Sequence, residues 1–115
     1  MWQAHAPFAA LLPRVAAVVH HGGIGTSADA FRAGIPQLIV PFAYDQFDNG
    51  WRAKRLGVGD VLLARRLSAG SMQRQLARLL AAPEVKLACG EVARQMGQGL
   101  ESARLLDHVE AALAA

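Results

Sequence analysis

Residues 18–26 read V-V-H-H-G-G-I-G-T, a β-branched run ending in paired histidines and followed by three glycines in four positions. A strand that breaks into a glycine turn and opens a helix belongs to a parallel, crossover-connected sheet. The helix start leaves backbone N–H groups unpaired at the positive end of its dipole, and phosphate is the commonest guest of such a site. An imidazole on the strand's C-terminal lip can donate to a phosphate oxygen or hold a neighbouring group in place. This segment directs the whole reading toward a phosphorylated ligand.

The flanking pattern repeats the strand–helix alternation. Val15–His20 has the composition of a strand buried on both faces of a parallel sheet. Thr26–Ala33 predicts a helix, closed by Gly34 and barred from continuing by Pro36. Gln37–Val40 predicts a second buried strand, ended by Pro41. Phe42-Ala43-Tyr44 leads to Asp45, expected to cap a helix that runs to Leu56 and stops at Gly57. Val58–Leu63 is a weaker third strand. Beyond it Met72, Leu76, Leu79 and Leu80 recur at helical spacing before Pro83. A shorter helix is expected over Val85–Met96, and Leu105, Val109, Ala112 and Leu113 repeat the spacing at the end. Pro7–Arg14, upstream, is a short amphipathic stretch.

The order β-α-β-α-β followed by helices is α/β: a partial Rossmann-like parallel sheet of three strands with C-terminal helices. All 115 residues are expected to form a single, partial domain, with an α/β core over 1–63 and a helical tail over 64–115. So few strands supply few crossover helices to cover both sheet faces. The chain is therefore expected to be a fragment, or to borrow surface from a partner chain or a second copy as a homodimer.

Composition closes other routes. Hydrophobic residues make up 53 % of the chain, yet Arg, Lys, Gly or Pro interrupts every apolar run before membrane-span length. The opening Met1-Trp2-Gln3-Ala4-His5-Ala6-Pro7 lacks the basic patch and apolar stretch of a signal peptide. A cytoplasmic protein is expected, with peripheral contact to a membrane left open. The single cysteine, Cys89, excludes an internal disulfide and a multi-thiolate metal site, and is expected as a small buried apolar residue. Net charge is +3, with Arg52, Lys54, Arg55, Arg65, Arg66, Arg74 and Arg78 scattered among apolar positions. They read as solvated helix faces. No aromatic–basic interleaving, helix-turn-helix or zinc signature points to nucleic acid.

Two readings of the glycine loop compete. Gly23-Ile24-Gly25-Thr26-Ser27-Ala28 fits the dinucleotide pattern G-x-G-x-x-A, and Asp45 lies 20 residues past Gly25. An NAD-type domain would use that acid at the tip of the next strand, but the strand ends at Val40-Pro41. The other reading uses both loops. Ligands of such sheets lie at the C-terminal strand ends, so His20–Thr26 and Pro41–Gln46 open on one side. Asp45 and Gln46 set a carboxylate beside an amide, the pairing that sugar hydroxyls demand. A phosphate cradle beside a hydroxyl clamp describes a nucleotide-sugar site.

From Ala6-Pro7-Phe8 through H-H-G-G-I-G-T (20–26), A-G-I-P (33–36) and P-F-A-Y-D-Q-F-D-N (41–49), the chain resembles a known family. It is similar to the C-terminal, donor-binding domain of GT-B, UDP-glycosyltransferase-family (family 1-like) glycosyltransferases, in particular bacterial rhamnosyltransferase-like and sterol-glucosyltransferase-like members. The resemblance implies diphosphate contacts at His20, Gly22, Gly25 and Thr26, and sugar contacts at Asp45 and Gln46. His5 stands where plant members place a base-stacking Trp. Ala28 stands where many relatives carry a ribose-binding Glu, with Asp29 one position off. The implied reaction passes a hexose from a UDP-sugar or dTDP-sugar to an acceptor hydroxyl with inversion, without metal or other cofactor. The resemblance puts the catalytic base in an N-terminal acceptor domain or partner chain, so no catalytic residue is assigned here and the chain alone is expected to transfer nothing. Beside it stands a reading of a different class: a non-catalytic or truncated interaction module that pairs with an acceptor-side protein.

Overall fold

A computed structural model describes residues 15–97. The expectations for His5, for Pro7–Arg14 and for the final helical segment lie outside them. Three parallel strands, β1 (Val18–His20), β2 (Gln37–Ile39) and β3 (Gly59–Val61), form one sheet in the order β1-β2-β3. The register pairs Val18 with Gln37 and Gln37 with Gly59. Helix α1 (Ile24–Ala33) crosses from β1 to β2, and α2 (Asp45–Arg55) from β2 to β3. A 3-10 turn (Ala64–Arg66), α3 (Ala69–Ala81) and a helix over 83–97, α4, follow.

The middle strand carries the core, because parallel strands flanked on both sides are shielded on both faces. Gln37, Leu38 and Ile39 are all 0 % exposed. Alternation of side chains along β2 divides its neighbours. Leu38 and Val40 pack with Leu62 and with Met72, Leu76 and Leu79 of α3. Ile39 packs with Ala53, Val58 and Cys89, bordered by Phe31 and Val92. Cys89 is buried as expected, and burial pushes its thiol pKa up. Helix α1 ends on Gly34 at φ 70°, whose N–H reaches the carbonyls of Ala30 and Phe31, as a left-handed C-terminal residue should.

Several sequence expectations need correction. β1 is not buried on both faces: Val19 is 39 % exposed, because on its face α3 packs over Leu38, Val40 and Leu62 and not over β1. Helix α1 begins at Ile24 rather than Thr26, with Gly23 as its cap residue. Asp45 is the first residue of α2, not its cap; Tyr44 holds the cap position at φ 50° without a side-chain bond. Pro83 does follow the end of α3 at Ala81, as expected, and it also opens α4, since the first helical turn needs no N–H from it. Trp51 lies 40 % exposed under the Lys54 ammonium.

Candidate functional site

In a parallel sheet all strands point the same way, so the loops after β1 and β2 emerge at one edge. Here they touch. Gly22 sits at φ 97°, and a Cβ there would come within 2.7 Å of the Gln46 carbonyl oxygen. Asn49 Nδ2 on α2 donates to the Gly22 carbonyl at 2.7 Å, tying the two crossings together. Only glycine combines that left-handed backbone with so close an approach. Asn49 was not singled out in the sequence; its one signal was its place in the P-F-A-Y-D-Q-F-D-N run.

His20 stands at the end of β1, half-buried. The Gly22 N–H donates to its Nδ1 at 3.0 Å, and its Nε2 lies 2.7 Å from Gln37 Oε1. A backbone N–H can only donate, so Nδ1 is the bare nitrogen and Nε2 carries the proton, donated to Gln37. Burial holds the His20 pKa below its ordinary value; the Gln37 bond opposes this and His21 adds to it. His21 supports the turn instead. Its Nδ1 reaches the Val40 carbonyl at 3.4 Å and its ring meets the edge of Phe42 with centroids 4.9 Å apart.

Helix α1 starts immediately after this turn with no side-chain cap and no acid in its first turn. Its first internal bond runs from Ser27 N–H to Gly23 O at 2.9 Å, which leaves the Ile24, Gly25 and Thr26 N–H groups ahead of it. Apart from its chain neighbours and its own helix backbone, no atom of the described residues lies within 4 Å of where a Gly25 Cβ would stand. The starts of α2 and α3 differ. Asp45 and Asp48 answer the dipole of α2, and a Ser68–Ser71 capping box closes α3. The positive end of α1 is thus left for an external anion.

At the second crossing Gln46 Oε1 accepts the Phe42 N–H at 2.9 Å and the Ala43 N–H at 3.2 Å. Its amide carbonyl braces the loop, and among the described residues its NH2 has no acceptor. Asp45, exposed beside it, offers only acceptors. The pair therefore divides the two roles, Asp45 accepting and the Gln46 NH2 donating. Tyr44, 90 % exposed, holds the loop tip at positive φ, a backbone strain of the kind concentrated at ligand sites. Asp29 is taken by Arg32 at 3.0 Å. Gln37 was missed by sequence reasoning, although a polar residue leading the apolar run Q-L-I-V was its signal. Among the described residues no group of His, Cys, Asp and Glu is arranged to hold a metal ion.

Comparison with known proteins follows the same lines. Residues 3–109 match the family described as Erythromycin biosynthesis protein CIII-like, C-terminal domain. The O-mycaminosyltylonolide 6-deoxyallosyltransferase of Streptomyces fradiae is 39 % identical over 100 residues, 86 % of this chain and 23 % of that protein. The crystal structure of the glycosyltransferase VinC in complex with dTDP superposes with a TM-score of 0.75 at 38 % identity, covering 81 % of this chain and 24 % of that one. The spinosyn rhamnosyltransferase SpnG complexed with thymidine diphosphate gives 0.74 at 26 % identity, covering 81 % and 26 %. The chain spans about a quarter of the length of these relatives.

Proposed function

This chain belongs to the Erythromycin biosynthesis protein CIII-like C-terminal domain family of GT-B glycosyltransferases, and from that premise we propose that it binds the nucleoside-diphosphate sugar donor. The observation that carries this reading is the contact of Gly22 with Gln46 and Asn49, which sets the uncapped α1 terminus beside the Asp45–Gln46 pair. His20, Gly22, Gly25 and Thr26 surround the diphosphate, and Asp45 with the Gln46 NH2 holds the hexose hydroxyls. Thymidine diphosphate in two of the similar structures favours a dTDP-sugar over a UDP-sugar. In the whole enzyme a hexose passes to an acceptor hydroxyl with inversion. Charge developing on the departing diphosphate meets donors already in place, so the binding energy grows toward the transition state. The acceptor site and its base come from the remaining part of the transferase or from a partner chain. Among the described residues no helix is long and apolar enough to cross a membrane, and peripheral attachment is compatible with that.

Titration of the full 115-residue chain with dTDP, UDP, NAD and their sugar derivatives tests the reading. Millimolar or tighter dTDP binding is expected, weakened roughly 10- to 100-fold in His20→Ala, the value of one charge-assisted contact of about 1.5–3 kcal/mol. Failure of every nucleotide to bind would leave the non-catalytic module as the better description, and preference for NAD would restore the dehydrogenase one.

A further inference from the structure

The hydrogen bonds of His20 conflict with a simple phosphate contact. In the structure both ring nitrogens are occupied: Nε2–H by Gln37 Oε1 at 2.7 Å and Nδ1 by the Gly22 N–H at 3.0 Å. A neutral His20 has no N–H left to offer, and an unprotonated Nδ1 would set a lone pair against an anion. We propose that diphosphate binding is coupled to uptake of one proton at His20 Nδ1, and that Gln37 is the positioning residue that directs the proton there. The inference rests on the donor-site reading above.

The step balances simply. A solvent proton joins Nδ1, the imidazolium donates from Nδ1 to a phosphate oxygen, and the Gly22 N–H is released to donate to the same anion. Gln37 serves both states, because its Oε1 accepts from Nε2–H before and after. Its amide cannot turn over freely: it is 0 % exposed, and its NH2 faces the Ser27 carbonyl at 3.5 Å. Reversal would set Oε1 against that carbonyl. With Nε2 permanently occupied, the incoming proton has one place to go.

The surroundings favour the switch. From β2 the ring meets neutral Gln37, and His21 beside it is the titratable neighbour whose charge opposes protonation. Asn49, the α2 side chain tied to this turn, is neutral, and neither Asp45 nor Asp48 contributes to the His20 shift. The α1 dipole also points its positive end here. These surroundings disfavour an imidazolium, and a bound diphosphate anion reverses the balance.

Calorimetry of dTDP binding to the full chain, in buffers of different ionisation enthalpy at pH 7.5, reads the proton directly. That pH lies well above the ligand's own second phosphate ionisation, about 6. Uptake of roughly 0.5–1 proton per dTDP is expected, with affinity rising up to about tenfold per pH unit on acidification. The 15N shifts of His20 should move from the Nε2–H tautomer to imidazolium. His21→Ala should keep the uptake. Gln37→Glu should lower it, because a carboxylate facing Nε2 protonates His20 before ligand arrives; a merely structural Gln37 would not move that number. The wild-type tautomer decides the matter even if this variant does not fold. dTDP binding with uptake below about 0.1 proton and an unchanged tautomer overturns the inference alone. Absence of dTDP binding overturns the donor-site reading and the inference with it.

Discussion

Replacing Gly22 by alanine tests whether the two crossings are joined through backbone contact. Its φ of 97° places a side chain in a conformation that L-residues avoid, at about 1–2 kcal/mol. The new Cβ would also stand 2.7 Å from the Gln46 carbonyl oxygen and 3.2 Å from its Cα. Neither is the flexible end of a side chain, so the second loop itself must shift. Overpacking of this kind costs about 1–3 kcal/mol, and the two effects sum to roughly 2–5 kcal/mol. For a domain stable by about 5–15 kcal/mol that is a large share. With a urea slope of about 1–3 kcal/mol/M the unfolding midpoint should fall by roughly 0.7–5 M, near 2 M at the middle of both ranges. Gly25→Ala is the control, since a Cβ there meets no atom within 4 Å and the position is helical. It should gain up to about 1 kcal/mol of stability. It should nonetheless bind dTDP more weakly, because the methyl occupies space over the α1 terminus. Urea unfolding and dTDP titration of both variants read all four numbers. A Gly22→Ala protein within about 0.5 kcal/mol of wild type would refute the argument that this contact fixes the loops.

Two further outcomes follow from the same geometry. His20 has a lowered folded pKa, caused chiefly by burial, so its contribution to stability is fully present above the ordinary histidine value of 6.5 and is lost as pH falls through the lowered one; a urea midpoint that climbs on acidification below pH 6 would contradict this. Asp45→Asn removes a charged acceptor for sugar hydroxyls and should weaken a dTDP-hexose about 10- to 100-fold while leaving dTDP nearly untouched; an equal loss for both ligands would remove Asp45 from the sugar site.

Local signals carried the fold because the chain punctuates its elements with residues of narrow conformational range. Gly34 and Gly57 end their helices at φ 70° and 79°, where a side chain would strain the backbone, and the β-α-β-α-β order follows from such stops. The cap of α2 was misread for the converse reason. Asp45 has the right chemistry for a cap, but Tyr44 adopts φ 50° and moves the helix start by one residue, something composition does not disclose. The exposure of Val19 escaped for another reason: a β-branched run reads the same on an edge strand as on a central one.

The site divides along the same line. The resemblance supplied His20, Asp45 and Gln46, each lying in a contiguous motif, yet it could not supply their hydrogen bonds. His20 meets Gln37 across 17 residues, and Asn49 meets Gly22 across 27. The first pair exists only once the β1–α1–β2 crossover has folded, and the second only once α2 has joined it. A strand pattern counts Gln37 as one more position of β2, although it is the partner that fixes which His20 nitrogen bears a proton. The identity of the candidate residues was thus written locally, whereas the hydrogen bonds that fix the His20 proton are a property of the sheet. A His20 tautomer that persisted after removal of the Gln37 side chain would show that the turn alone, through the Gly22 N–H, sets the protonation.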